Sequence, residues 1–358
     1  MRFPFPFNKR FKAILCSDCF QDQGLRMDAN SVGLNRKGEC PHCRSQSGKK
    51  LDAQRIGQLA FRFFVHGTIT RGEYGGAPMV QFNTHQETSI DVSSPLDSDA
   101  RTIADAIGVG FFHYGPRLWM LGEIEPLKDL QDPSRRSLIL ERIVKEFPNV
   151  TFAANRQFFR LRKSPQTPDN PSEYDSPPNE HAGTGRLDVP GRPALYGSED
   201  LEVCIHECRV TAEDEIFVAT LVGKNELKFL DLTEILHEDG VTEFESLDIA
   251  MHMLFLAGSH AYTITREIAE RARSVGFDGI LYPSYFSLLR TGAIPFETVY
   301  GISNRRIPSL AEYEKSKLVP NLAIFGRPVE TGIVKVQCIN RLMINRVTYD
   351  VSFGPVRV

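Results

Sequence analysis

The sequence predicts an α+β fold with a mixed β-sheet, preceded by a small cysteine-rich module. Three observations lead there. Strand-like and helix-like segments do not alternate one for one, which argues against a doubly wound parallel sheet. Two Cys-x-x-Cys pairs are concentrated in the first 50 residues. The chain has 358 residues, 41% of them hydrophobic and 24% charged, which allows about two domains with a sizeable core.

A net charge of -3 excludes a protein that coats nucleic acid or an anionic membrane through bulk charge. No run approaches the roughly 18 apolar residues that cross a bilayer. The N-terminal stretch MRFPFPFNKRFKAILC is basic and aromatic, without the apolar segment of a secretory signal. Seven cysteines, an odd number, fit a reducing compartment with a metal site better than a disulfide framework. A cytoplasmic location is the expectation. No repeat of solenoid or propeller spacing is present.

The first module, residues 1–50, carries Cys16-x2-Cys19, a spacer of twenty residues, and Cys40-x2-Cys43. Two residues between thiolates let a tight turn present both sulfurs to one ion, and two such knuckles complete a tetrahedral shell. Cys16, Cys19, Cys40 and Cys43 are therefore the expected ligands of a structural zinc ion. Four sulfurs leave no open coordination position, so His42 is expected outside the shell. A redox dithiol would sit within a βαβ pattern, which is absent.

Residues 51–150 read as a mixed α/β region. Asp132-Pro133 before SRRSLILERIVKEF signals a helix with Asp as N-cap and Pro at the first position; Ile139, Ile143 and Phe147 share one stripe. Phe111, Phe112, His113, Tyr114 and Trp119 read as core or interdomain packing. The run Arg71 to Gly76 is glycine-rich but lacks a phosphate-loop lysine, so it carries no site. Residues 163–184 hold five prolines and almost no apolar residues, the composition of a flexible, extended segment.

Beyond it, RPALY reads as a strand, and Ser198 opens a helix, SEDLEVCIHECR. Leu201, Cys204, Ile205 and Cys208 fall on one face of that helix, so the two cysteines read as buried structural thiols. EIFVATLV and LKFLDL are strands. LDIAMHMLFLA and YTITREIAERARSVG are helices, the second ended by Gly276. GILYPS, TVYGI and NLAIFG are strands. Residues 329–358 read as a C-terminal β-hairpin.

Segments of the second half carry a family resemblance. Gly185 to Tyr196 places Arg186 in a Pro/Gly loop ahead of a strand that ends in Tyr196. Glu207 follows eleven residues later on a helix. Gly279 to Ser284 is a strand ending in Tyr-Pro-Ser, and NLAIFG is a closing strand. In order and identity these resemble the RES family, named for arginine, glutamate and serine, over residues 151–328. Arg160 in QFFRLRK matches an arginine of the family's first strand, with Arg162 as competitor. The Pro-rich stretch is then an insertion within the domain. The family loop has an aromatic residue and Asn after its arginine, where this chain has Leu187 and Asp188.

The resemblance implies an ADP-ribosyltransferase-like fold and NAD as substrate. It assigns Glu207 to the ribose, Arg186 with Arg160 to the pyrophosphate, Tyr196 to a stack on nicotinamide, and Ser284 to a hydrogen bond at the nicotinamide–ribose end. It implies cleavage at the nicotinamide–ribose bond by a glycohydrolase or phosphorylase acting as a toxin or defence effector, with a protein antitoxin or inhibitor as partner. The alternatives are an ADP-ribosyltransferase acting on a protein, and a non-catalytic zinc-ribbon protein that binds nucleic acid or a partner. Net charge gives nucleic acid no support.

Overall fold

The structure is a computed structural model that describes residues 11–72, 75–114, 124–238, 240–242, 244–292, 298–299 and 302–358. Trp119, Glu73 and Tyr74 of the glycine-rich run, and Tyr300 and Gly301 of TVYGI lie outside these residues. The chain divides into two compact units, Met1–Leu121 with Thr348–Val358, and Gly122–Val347. No helix among the described residues is long and apolar enough to cross a membrane.

In the first unit Leu15–Cys16 pairs antiparallel with Lys50–Leu51. Helices Gln23–Val32 and Ala53–Ala60 start at Asp22 and Asp52, whose carboxylates accept from Leu25 N and Arg55 N, as N-caps do. Residues 1–50 are not a self-contained ribbon. Leu15, Phe20 and Leu25 share one buried cluster with Leu51, Ile56, Phe63, Phe64 and Phe111, because a short cysteine module has too few apolar residues to bury by itself. Asp99, also buried, accepts from the backbone of Gln21 and Asp22. Phe111 is core as expected, whereas Phe112 is half-buried and His113 exposed.

The expected C-terminal hairpin does not form. Val334–Leu342 is a strand, but its partner is Ile216–Gly223, and residues 343–358 contain no strand. Within the first unit the tail is held otherwise: Phe353 N donates to Asp28 at 3.1 Å, and Arg62 pairs with Asp350 and the Val351 carbonyl.

The second unit is built on an eight-stranded sheet. Its strands are β1 (Asn149–Phe152), β2 (Gln157–Lys163), β3 (Ala194–Ser198), β4 (Ile216–Gly223), β5 (Leu227–Asp231), β6 (Gly279–Pro283), β7 (Pro320–Phe325) and β8 (Val334–Leu342). Their spatial order is β8-β4-β2-β3-β7-β6-β5-β1. Only β5 and β6 run parallel, so the sheet is mixed, as the uneven alternation of elements predicts. The helices used below are α1 (Glu125–Gln131), α2 (Arg136–Glu146), α3 (Leu201–Glu207), α4 (Leu247–Leu256), α5 (Tyr262–Ser274) and α6 (Ser287–Thr291).

Two helix starts differ from expectation. Asp132 closes α1 and spends its carboxylate on the N–H and hydroxyl of Ser134, so α2 begins only at Arg136. Ser198 ends β3, and Asp200 is the N-cap of α3, accepting from Val203 N at 3.1 Å. The compact unit also starts at Gly122, earlier than residue 151, because α1 packs against α4 and α2 against α5.

The Pro-rich segment is the largest departure. Composition predicts a loose tether, but Tyr174 is fully buried in the cluster with Phe158, Leu195 and Ile324, its hydroxyl donating to Pro168 O at 2.8 Å. Asp175 is 1% exposed and accepts from Ser176 N, Val329 N and Glu330 N. Ser176 Oγ donates to Gly326 O at 2.7 Å. One aromatic anchor and one carboxylate order a polar segment that has no apolar stripe. Tyr174→Ala is expected to lower stability by about 3–5 kcal/mol, the cost of emptying a buried aromatic site, read from the urea midpoint; a midpoint equal to the parent's contradicts this packing.

Candidate functional site

The central strands and α3 surround a cavity of about 340 Å³. Alternation along β2 puts Arg160 and Arg162 on one face, and both line the cavity. β3 contributes Tyr196 and β6 Tyr282. The loop before β3 contributes Gly185 and Arg186. α3 contributes Cys204 and Glu207, and its C-cap Cys208, with Phe255, Tyr262 and Asn321 completing much of the wall. Of the five residues expected at the site, Arg160, Arg186, Tyr196 and Glu207 line this cavity. Ser284 is 1% exposed and reaches it through Glu207.

The arginines are held by carbonyls. Arg160 donates to Tyr196 O at 2.8 Å and Asp175 O at 2.9 Å. Arg162 donates to Glu173 O and Asp175 O, both at 2.7 Å. The ordered Pro-rich segment thus supplies the acceptors that aim both side chains. Neither makes an ion pair with a carboxylate among the described residues, and the buried Nε of Arg160 has no partner. Burial, reinforced by the charge of Arg162, pulls Arg160 down to about 9. Two neighbouring guanidinium groups without a counter-ion suit an anionic ligand.

Arg186 donates to Leu254 O and Ala257 O at the end of α4, at 3.3 and 2.9 Å, where carbonyls at a helix end are open to further donors. Its guanidinium lies 4.9 Å from the Tyr262 ring centroid, a cation–π distance. The Arg186 loop is clamped from α5: Arg266 donates to Gly183 O and Gly185 O, and Thr265 Oγ1 to Arg186 O at 2.6 Å. Leu187 and Asp188, which differ from the family pattern, are both buried and serve this clamp. Asp188 accepts from Gly183 N and from the Tyr196 hydroxyl, each at 2.6 Å, and that hydroxyl accepts from Leu187 N at 2.8 Å. Burial above all, then the nearby Tyr282 and Asp188, pushes the Tyr196 phenol well above the ordinary tyrosine range. Tyr196 therefore offers its ring to the cavity and keeps its hydroxyl for the loop.

Glu207 is the last residue of α3. Its Oε1 accepts from Ser284 Oγ at 2.7 Å and from Asn321 Nδ2 at 2.5 Å. The Ser284 hydroxyl in turn accepts from Phe286 N at 3.1 Å. Arg290 of α6 pairs with Asp200 at 2.7 Å, and Phe286 stacks on His206 at 5.7 Å, which ties the turn after β6 to α3. Cys204 and Cys208 donate weakly to Phe159 O and Leu161 O, as structural thiols, while also forming cavity wall. Asn321, which lines the cavity and donates to Glu207, is a residue that sequence reasoning missed. Its only signal is an amide next to the start of an otherwise apolar strand.

In the first unit the sulfurs of Cys16, Cys19, Cys40 and Cys43 all lie within 4.8 Å of one another and could hold a metal ion. Three of the edges are 3.4, 3.6 and 3.9 Å. A tetrahedron with zinc–sulfur bonds of about 2.3 Å has edges of about 3.8 Å, so the donor set fits such an ion. Asp18, inside the first knuckle, accepts from Ser45 Oγ and Ser47 Oγ beyond the second. Gly48 must stay small, since a Cβ there would stand 2.6 Å from Cys16 Sγ. His42 is exposed and outside the cluster.

Comparison with known proteins adds three findings. Residues 157–312 match the family described as RES domain. No curated protein matches the sequence. A solved structure described as the M. tuberculosis MbcT-MbcA toxin-antitoxin complex aligns over 57% of this chain and 91% of that one, at 12% identity and a TM-score of 0.32.

Proposed function

We propose that this chain, which carries a RES domain over residues 157–312, cleaves NAD at the bond between nicotinamide and ribose. The observation that carries the proposal is one cavity lined by a hydrogen-bonded carboxylate, an aromatic ring and guanidinium groups that have no carboxylate partner among the described residues. The nicotinamide nitrogen of NAD is already cationic. When its bond to C1′ breaks, the electron pair stays on that nitrogen, cancels the charge, and nicotinamide leaves neutral without a general acid. The ribose passes through an oxocarbenium-like state, and an acceptor oxygen then bonds C1′ and gives up a proton.

Glu207 is assigned to the ribose. With Oε1 occupied by Ser284 and Asn321, Oε2 remains to accept from the 2′-hydroxyl and to offset the positive charge growing on the ring. Arg160 and Arg186 are assigned to the pyrophosphate, which supplies the anion that their carbonyl-bound guanidinium groups lack. Tyr196 offers its ring to nicotinamide. Ser284 acts through Glu207. Water as acceptor makes the protein a glycohydrolase, phosphate makes it a phosphorylase, and a side chain makes it an ADP-ribosyltransferase. Loss of cellular NAD is the effect expected of a toxin or defence effector, and a protein inhibitor would hold it in check. Both roles follow from the family resemblance.

The first unit is assigned a structural zinc ion on Cys16, Cys19, Cys40 and Cys43, because four thiolates close the shell and leave no site for a reacting water. Purified protein is expected to carry a single zinc ion per chain, and chelation or Cys40→Ser to lower its melting temperature; metal-free protein that melts with the parent contradicts the assignment. Incubated with NAD, the protein is expected to release nicotinamide, and Glu207→Gln to slow release by about a hundredfold or more with the fold retained by circular dichroism. Mass analysis of the product with and without phosphate identifies the acceptor. Unchanged release by Glu207→Gln removes this carboxylate from the reaction.

A further inference from the structure

A carboxylate at the last position of a short helix is poorly placed by its own backbone. The C-terminal carbonyls present negative charge to it, and a glutamate that ends its helix in an exposed position has three side-chain torsions to fix. Glu207 needs donors from elsewhere, and β7 supplies one. Asn321, 4% exposed, sits in register with Ser198 of β3 on one side and Tyr282 of β6 on the other. Its amide reaches Glu207 Oε1 across 114 positions of sequence.

The residues just before it hold the rest of the same assembly. Val319 O accepts from Ser284 N at 3.0 Å, and Val319 N donates to Ser287 Oγ at 3.0 Å, fixing the turn that presents the Ser284 hydroxyl. Pro320 O accepts from Ser198 Oγ at 2.9 Å, and that hydroxyl accepts from Asp200 N, next to the carboxylate that caps α3. Three consecutive residues therefore pin the start of the helix, the serine turn and the carboxylate at the helix end. These residues lie beyond the segment 157–312 that matches the family.

We infer that Asn321 is the positioning residue of this site: its amide holds Glu207 Oε1, so that Oε2 is presented to the ribose. The inference rests on the functional reading above for the identity of the substrate. The contact itself is tested without any substrate. Asn321→Asp keeps the shape of the side chain but sets a carboxylate against Glu207. It is expected to lower the urea midpoint, and adding Glu207→Gln should return the midpoint to that of Glu207→Gln alone, because an amide at 207 now donates to the new carboxylate. A deficit of the same size in both backgrounds overturns the inference, since a residue that merely packs in β7 does not respond to the identity of residue 207. Should Asn321→Asp fail to fold, Asn321→Ala and Glu207→Ala replace the pair. Together they must then cost less than the sum of the two single effects, and strict additivity overturns the inference. In the nicotinamide assay Asn321→Ala is expected to lower kcat about a hundredfold while KM stays within about threefold of the parent, as for lost alignment of a bound group. A parental kcat overturns the role. If the parent protein releases no nicotinamide, the functional reading fails, while the stability cycle still decides whether Asn321 holds Glu207.

Discussion

The site turns on one hydrogen-bonded oxygen. Oε1 of Glu207 takes two donors, from Ser284 and Asn321, and so ties together three elements that are remote in sequence: α3, the end of β6, and β7. The antiparallel pairing of β7 with both β3 and β6 makes this convergence possible, because it brings Ser198, Asn321 and Tyr282 side by side across the sheet. Without that register the carboxylate would sit on the end of a short helix with nothing to aim it.

The arginine wall follows a complementary logic. A buried guanidinium needs acceptors, and a carboxylate partner would neutralise it. Arg160, Arg162 and Arg186 are instead held by backbone carbonyls, which fix direction while leaving net positive charge for a ligand. Those carbonyls come from the Pro-rich segment, from Tyr196 of β3 and from the end of α4. The structural role of the insertion is therefore electrostatic as well as steric: Asp175 turns its carboxylate toward the backbone at 329–330 and its carbonyl toward both β2 arginines.

What the sequence disclosed was largely local. The cysteine spacing defines its own geometry, and the four sulfurs meet as that spacing requires. Arg186, Tyr196 and Glu207 could be placed because the motif order and the strand–helix pattern around them are self-consistent. Asn321 could not, because its meaning depends on a hydrogen bond to a distant residue. Tyr174 was hidden because composition averages over a segment, whereas order here comes from a single aromatic side chain. The Asp132-Pro133 signal was chemically sound, yet its carboxylate is spent on a turn at Ser134. The extent of the first unit was illegible for a related reason: Leu15, Phe20 and Leu25 are buried by residues up to Phe111, and no local pattern announces that.

The central claim is that the carboxylate, the ring and the arginines act on one dinucleotide. A crystal structure of Glu207→Gln soaked with NAD tests this most directly. The account predicts the nicotinamide ribose beside residue 207, with its 2′-hydroxyl within hydrogen-bond distance of the side chain, the nicotinamide against Tyr196, and the pyrophosphate on Arg160 and Arg186. NAD bound elsewhere, or with its phosphates remote from both arginines, would contradict it.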